Sequence, residues 1–505
     1  MKAIFLTTLL LLLQYFGEAQ KIKYTEGEKE DTKKMNFETV GKFNSNIIIY
    51  KNVYNDNYMC VYDGDMKLKE KLKLVNMPIN IINVDFISYP TFFYMIYQHQ
   101  KKNVVYCDAI KFNTDGKKME DAVTLDTTTL PVYQNDNKIY QILVSDNKQQ
   151  IGVVKANKKN ERNHLFGAIL YSSTLQQQYK RRFVIPMDGR NNFLDEFLID
   201  NDGDIYMAKC YSVNDNEYVT KLNMLHLPVG RDTIINYVVD SKEKTLDEII
   251  MKMDNSTKRV IILSFFSNKR KGNVDGLFVN FFDKSTPTTT TPSFINFDDS
   301  IRTEVSTIGS LKTALNDFFI RQIYPRKDGG FIFAAESYYT TTRGNGGIPW
   351  SRYDYFSNNN YLTNYDYYNM GGRDNYWNSY DRINTNTTYY ADNVLVLSID
   401  KKGELEWSNA IQKSQKDDYG EDLISYQILL TGGSLHFLFN EKDRNEFLMY
   451  DNSVTPQGKV TRHPTLKNLD RRYGIMPRHG KQISAREMVF PCTYKNYICF
   501  AKIEY

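Results

Sequence analysis

Hydrophobic and polar positions alternate over short distances along most of the chain, and aromatic or β-branched residues crowd the apolar positions. Runs of this kind cover Asn46–Val53, Tyr58–Tyr62, Phe92–Gln98, Val104–Phe112, Ile205–Tyr211, Val260–Phe266, Phe331–Ala335, Val394–Ile399, Leu435–Asn440 and Tyr497–Ile503. A period of two with β-branched enrichment predicts strands. Turn signals fall between them, at Asp115-Gly116, Asp202-Gly203, Asp328-Gly329-Gly330, Lys402-Gly403, Gly432-Gly433 and Gln457-Gly458. Helical periodicity is scarce, and Ser310–Asn316 is read as a short helical turn. The fold class is all-β.

A longer period lies over the strands. The triplets Asp85-Phe86-Ile87, Glu196-Phe197-Leu198, Glu248-Ile249-Ile250, Asp317-Phe318-Phe319 and Asp422-Leu423-Ile424 each open a similar four-strand unit. Unit starts near 36, 85, 138, 196, 248, 317, 422 and 480 give a basic step of about 55 residues. Four-stranded antiparallel units recurring in this way predict a β-propeller, because a lone twisted sheet cannot cover both its apolar faces and a closed ring of sheets can. Eight blades are favoured; seven is the alternative, with the first and last units merged. The final unit supplies three strands, and Lys21–Glu26 is expected to add the fourth.

Two segments carry a family resemblance. Leu315–Tyr339, with Asp328-Gly329-Gly330-Phe331-Ile332-Phe333-Ala334-Ala335-Glu336-Ser337, and Asp392–Ser408, with Leu397-Ser398-Ile399-Asp400-Lys401-Lys402-Gly403-Glu404-Leu405-Glu406-Trp407, resemble blade motifs of uncharacterised secreted β-propeller proteins of Bacteroidota. The resemblance implies fold and export, and it brings no catalytic residue with it. Other units keep the turn without the Trp, as at Asn113-Thr114-Asp115-Gly116.

Composition adds destination. Residues 1–19 read as a signal peptide, with Lys2, an apolar run from Ala3 to Leu13, and Gly17-Glu18-Ala19 before the cleavage point. That run is about half the roughly 20 residues that a spanning helix needs. Residues 20–505 are then expected to form one exported propeller domain, periplasmic or extracellular, without membrane insertion and monomeric. Sixty-four Lys and Arg against sixty Asp and Glu leave +4, which gives no field suited to nucleic acid. Five Cys are too few for a disulfide framework. Cys492 and Cys499 face each other if Lys495-Asn496 turns a hairpin, and are otherwise buried thiols like the rest.

Known catalytic signatures are missing, and neither His nor Cys spacing forms a metal motif, so no cofactor and no metal are expected. Asp200, Asp202 and Asp204 alternate like calcium ligands, but Ile205 and Tyr211 stand where that loop needs Gly and Glu, so they are read as a hairpin turn. The basic runs Lys180-Arg181-Arg182 and Lys269-Arg270-Lys271 read as solvated strand ends or loops.

Two features suggest a binding face. The segment 338–391 is an insertion within one unit whose 54 residues hold twelve Tyr, ten Asn and two of the three Trp, a composition that builds adaptable contact surfaces. Strand parity puts it at the same end of the units as the repeated acids. The expected surface therefore combines Trp350, Tyr353, Tyr355, Tyr365, Tyr367, Tyr368 and Trp377 for stacking with Asp85, Glu196, Glu248, Asp317 and Asp422 as acceptors. The favoured function is a non-catalytic binding or scaffold propeller for a glycan or protein ligand. The alternative is a carbohydrate-active enzyme using the rim carboxylates, whose separation would set the stereochemistry.

Overall fold

The computed structural model describes residues 21–27, 35–79, 81–130, 138–212, 218–270, 272–306, 310–342, 378–379, 387–418, 420–443, 446–466, 473–494 and 497–505. The signal-peptide reading falls outside them. The described chain is built from antiparallel meanders, with one α-helix among them.

The first unit is Met35–Phe43, Asn46–Val53, Asp56–Tyr62 and Leu68–Lys73. The second runs from Ile81–Ser88 to Val123–Thr129, and the third from Gln141–Val144 to Gln177–Pro186. The fourth (Asn192–Ile199 to Ile235–Val239) and the fifth (Ile250–Asp254 to Ser293–Asn296) are joined into one ten-stranded sheet by Thr245–Leu246, which pairs with both. The sixth contains Phe318–Pro325, Phe331–Thr342, Thr387–Ile399 and Leu405–Asp417. The seventh contains Tyr426–Thr431, Ser434–Asp443, Glu446–Val454 and Val460–Arg462. In the eighth, Glu487–Tyr494 and Tyr497–Glu504 carry Lys21–Tyr24 on the outer edge, with Lys21 opposite Glu504 and Tyr24 opposite Ala501. The N-terminal strand therefore completes the C-terminal sheet.

The pleat explains the long apolar runs. Ile47 and Ile49 pack with Met476, Val489 and Phe500 of the eighth unit, whereas Ile48 and Tyr50 pack with Phe93, Met95 and Tyr97 of the second. Successive side chains point to opposite faces, so a strand buried on both sides reads as unbroken hydrophobicity. Shared cores of this kind also join the second unit to the third, the third to the fourth and fifth, the fifth to the sixth, the sixth to the seventh and the seventh to the eighth.

Hairpin turns repeat one device. Asp200 Oδ1 accepts from the backbone N–H groups of Asp202 and Asp204, both at 2.9 Å, and Gly203 takes φ +94°. Asn113 and Asp400 hold their turns in the same way. A short polar side chain closing its own turn lets the chain reverse without orphaned donors. At Gly458 (φ +83°) an added Cβ would lie 2.8 Å from the Trp407 ring, whose Nε1 donates to Pro456 O at 3.1 Å. Trp407 thus covers the turn of the following unit.

The helix was not anticipated. Helix α1, Asp299–Val305, lies between the fifth and sixth units and is capped by Asp298, whose side chain accepts from Ile301 N. Its Ile301 and Val305 enter the core, and buried Arg302 donates to Phe297 O and Val274 O, fixing the connection. Ser310 caps a single 3-10 turn, Leu311–Thr313, where a helical turn was expected. Cys492 does face Cys499, but both thiols are free and buried, with Cys499 Sγ donating to Cys492 O at 3.2 Å.

Candidate functional site

A cavity of about 900 Å³ opens among the fifth, sixth and seventh units. Its wall takes Asn316, Asp317 and Phe318 from the chain leading into the sixth unit, and Tyr339, Tyr390 and Asp392 from the ends of the strands that carry the insertion. The seventh unit adds Asn440, Lys442 and Phe447, and α1 adds Val305.

Strand pairing builds this wall. Tyr339 lies directly opposite Tyr390 in the ladder, and the rings stack with centroids 4.7 Å apart and planes 6° apart. Tyr339 Oη donates to Asp392 Oδ2 at 3.1 Å, while Oδ1 of the same buried carboxylate has no hydrogen-bond partner. An unmatched buried carboxylate oxygen is costly, and a donor placed in the cavity would relieve it. Burial raises the Tyr339 phenol, and neighbouring Asp392 raises it further, so it stays a neutral donor. Asn316 Oδ1 accepts from Val274 N at 3.1 Å, which locks the residue next to Asp317.

Next in sequence to the lining residues Ser337, Ser414 and Ile424 stand the members of a buried ionic cluster. Lys413 Nζ is 2.8 Å from Glu336 Oε1, and both side chains are wholly buried. Ser425 donates to Glu336 Oε2 at 2.6 Å, and Lys413 also donates to Ala391 O and Gln415 Oε1. Burial opposes charge on Glu336, but Lys413 and Arg321 hold its carboxyl below the usual range; burial lowers Lys413 against the pull of Glu336.

The five anticipated acids part company. Asp317 lies in the wall, with its carbonyl accepting from Tyr338 N at 2.8 Å beside the root of the insertion. Glu248 lies two residues before the strand Ile250–Asp254, and its neighbour Asp247 reaches the cavity. Asp422 pairs with His479 Nε2 at 2.8 Å. Asp85 and Glu196 do not open their strands, as the triplets suggested; each is the fifth of eight residues. Burial raises the Asp85 carboxyl, partly opposed by Lys138, and Asn83 donates to it at 2.6 Å. Glu196 sits at φ +53° where the register shifts between Asp195 and Leu198, and its Oε2 accepts from Met251 N at 2.7 Å. It ties the fourth unit to the fifth, because a bulge turns its side chain toward the neighbouring strand.

Trp350, Tyr353, Tyr355, Tyr365, Tyr367, Tyr368 and Trp377 lie outside the described residues. Between the two paired ends of the insertion, Asn378–Ser379 pairs antiparallel with Asn36 and Phe37 in the first strand of the first unit. The insertion thus leaves the sixth unit and reaches the first. Sequence reading passed over Tyr339, Tyr390 and Asp392 individually, although they bracket the insertion; the position of Tyr and Asp at its two roots is the signal that marks them.

No family model and no curated protein matches the chain. Among solved structures it is similar to a prolyl endopeptidase (8% identity, 92% of this chain and 55% of that chain covered, TM-score 0.43). It is also similar to the polysaccharide lyase Uly1 (8%, 84% and 89%, TM-score 0.38) and to the apocarotenoid oxygenase of Synechocystis (7%, 96% and 93%, TM-score 0.33). The chain spans about half the length of that endopeptidase. At these scores the likeness assigns no activity.

Proposed function

We propose that the chain is an exported eight-bladed β-propeller that binds a glycan in the cavity between its fifth, sixth and seventh blades. The blade count is supported by the eight meanders, by the core shared between the first and eighth, and by the N-terminal strand that completes the last sheet. Export is supported by the sequence of residues 1–19 and by the resemblance to secreted propellers.

The observation that carries the binding reading is the cavity wall itself. Aromatic faces at Tyr339, Tyr390 and Phe447 stand beside acceptors at Asp317 and Asp392 and amides at Asn316 and Asn440. A sugar ring offers apolar C–H faces and a rim of hydroxyls, so it suits stacking surfaces bordered by a few fixed polar groups. The insertion, rich in Tyr, Asn and Trp, is rooted at this wall through Tyr339 and Tyr390.

The mature chain is to be screened on a glycan array, followed by calorimetry and a hydrolysis assay with the same sugars. Asp317→Asn and Tyr390→Ala are each expected to weaken a detected glycan by about tenfold, the loss of one good contact. Glycan binding unchanged by both variants would reject the cavity as the site. Glycan turnover abolished by Asp317→Asn would establish the enzyme reading instead, in which Asp317 and a second wall carboxylate act as acid and base.

A further inference from the structure

The seventh unit brings together three residues that are dispersed in sequence. His436 is the third residue of the strand Ser434–Asp443, Asp451 lies in the strand Glu446–Val454, and His463 directly follows the strand Val460–Arg462. The ladder sets His436 opposite Ser453 and Leu438 opposite Asp451, and His463 N donates to Asp451 O at 2.9 Å. One ligand atom from each side chain lies within 4.8 Å of the other two.

We propose that His436, Asp451 and His463 form a binding site for a divalent transition metal, with Zn²⁺ the best match. Two imidazoles and one carboxylate are a borderline-soft donor set that suits zinc, and three protein ligands leave a fourth position for water. Donors on a tetrahedral zinc ion are about 3.3 Å apart, so the group has to contract. His436 Nδ1 already lies 3.1 and 3.2 Å from the two oxygens of Asp451. The imidazole centroids are 5.3 Å apart with planes 27° apart; because a ring nitrogen's lone pair lies in its ring plane, joint ligation requires a rotation of His463 toward the ion. The metal takes the place of the direct His436–Asp451 contact and draws His463 Nε2 from Ser453 Oγ, now 2.7 Å away.

Burial suits the same role. Asp451 is fully buried while His436 and His463 are half-buried, which gives a fixed anchoring carboxylate with the imidazoles nearer the surface. Tyr505 packs its ring against His436 with centroids 5.1 Å apart, so the metal would pin three strands of the seventh unit beside the chain's last residue. The site is separate from the cavity. Asn440, which lines the cavity, is four residues further along the His436 strand, about 13 Å away.

The test uses the untagged mature chain, with Zn²⁺ titrated calorimetrically and metal content measured after dialysis. One equivalent is expected to bind and to raise the melting temperature, with EDTA reversing the rise. His463→Ala, at a half-buried position beyond the strand end, removes a direct ligand and is expected to weaken binding by at least about 100-fold, the upper figure for losing only a ligand's hydrogen-bond partner, and to abolish the rise while the zinc-free melting temperature stays near wild type. If His463→Ala unfolds, His436→Gln provides the same comparison. Co²⁺ should give the visible absorption of a tetrahedral N/O site in the wild type and lose it in the variant. Zinc uptake equal in wild type and variants, or no uptake at about 100 times the protein concentration, would overturn the proposal.

Discussion

Lys284 shows how a single side chain settles the chemistry of an ambiguous motif. Its Nζ lies 2.5, 2.8 and 3.0 Å from Asp200, Asp202 and Asp204, so the cation among these alternating acids is the protein's own. Burial opposes charge on Asp204, yet His226, the Val229 N–H and Lys284 hold its carboxyl down at about 2. Glu487, bonded to Lys42, Ser484 and Lys502, is likewise held at about 2 despite burial. Both groups stabilise the fold above the ordinary carboxylate range, and that contribution is lost as pH falls toward 2. His164 acts earlier. It is 1% exposed, and burial, with Lys158 and Lys209 nearby, lowers its imidazole from 6.5 to about 4. Between pH 6.5 and 4 the unfolded chain takes up a proton that the native chain refuses, so stability present at neutral pH declines through that window. The slope from this one group is at most about 1.4 kcal/mol per pH unit. Urea denaturation at pH 7 and pH 5 should therefore show a loss that shrinks in His164→Gln, whereas an equal loss in both proteins would exclude His164 as the source.

At the scale of elements, the strand Lys21–Tyr24 is the most consequential short segment. It is four residues long, yet it covers the outer edge of Tyr497–Glu504, and Thr25 continues the contact by donating its N–H to Phe500 O at 2.9 Å. Ile22 and Tyr24 pack on the core between the seventh and eighth units, and Tyr24 stacks on Tyr473 with centroids 4.1 Å apart. An uncovered apolar edge strand invites pairing with another chain. A mature chain lacking residues 21–26 is expected to melt several degrees lower and to associate at high concentration in light scattering. An unchanged melting temperature and a concentration-independent monomer would show that the edge does not depend on this strand.

For the whole molecule, units are coupled through polar as well as apolar contacts, and the buried pair of Glu336 and Lys413 is one such joint. Glu336 and Lys413 belong to the sixth unit, and Ser425, which donates to Glu336, leads into the seventh. Removing Lys413 leaves Glu336 facing Arg321, at 3.5 Å, so the cost falls toward the lower end of the about 3–5 kcal/mol of an uncompensated buried charge. Lys413→Met should lower stability by that order, and the double variant with Glu336→Gln should recover much of the loss, read by denaturant titration. A loss no smaller in the double variant would mean that packing, not charge, dominates there. The contrast with the sequence is instructive. Alternation and turn chemistry are local, because side-chain direction in a strand reverses at every residue and a turn is closed by residues two to four apart; hence the strands at Asn46–Val53 and Tyr497–Ile503, the turn at Asp200–Asp204 and the four-strand repeat were legible. Lateral register between units is not local. It brings Lys284 to Asp200 across 84 positions, turns Glu196 away to Met251, and leaves Asp317 and Asp392 on a cavity wall shared with the neighbouring units. Those meetings depend on sheet twist and on the packing of one unit against the next, which no window of the sequence contains.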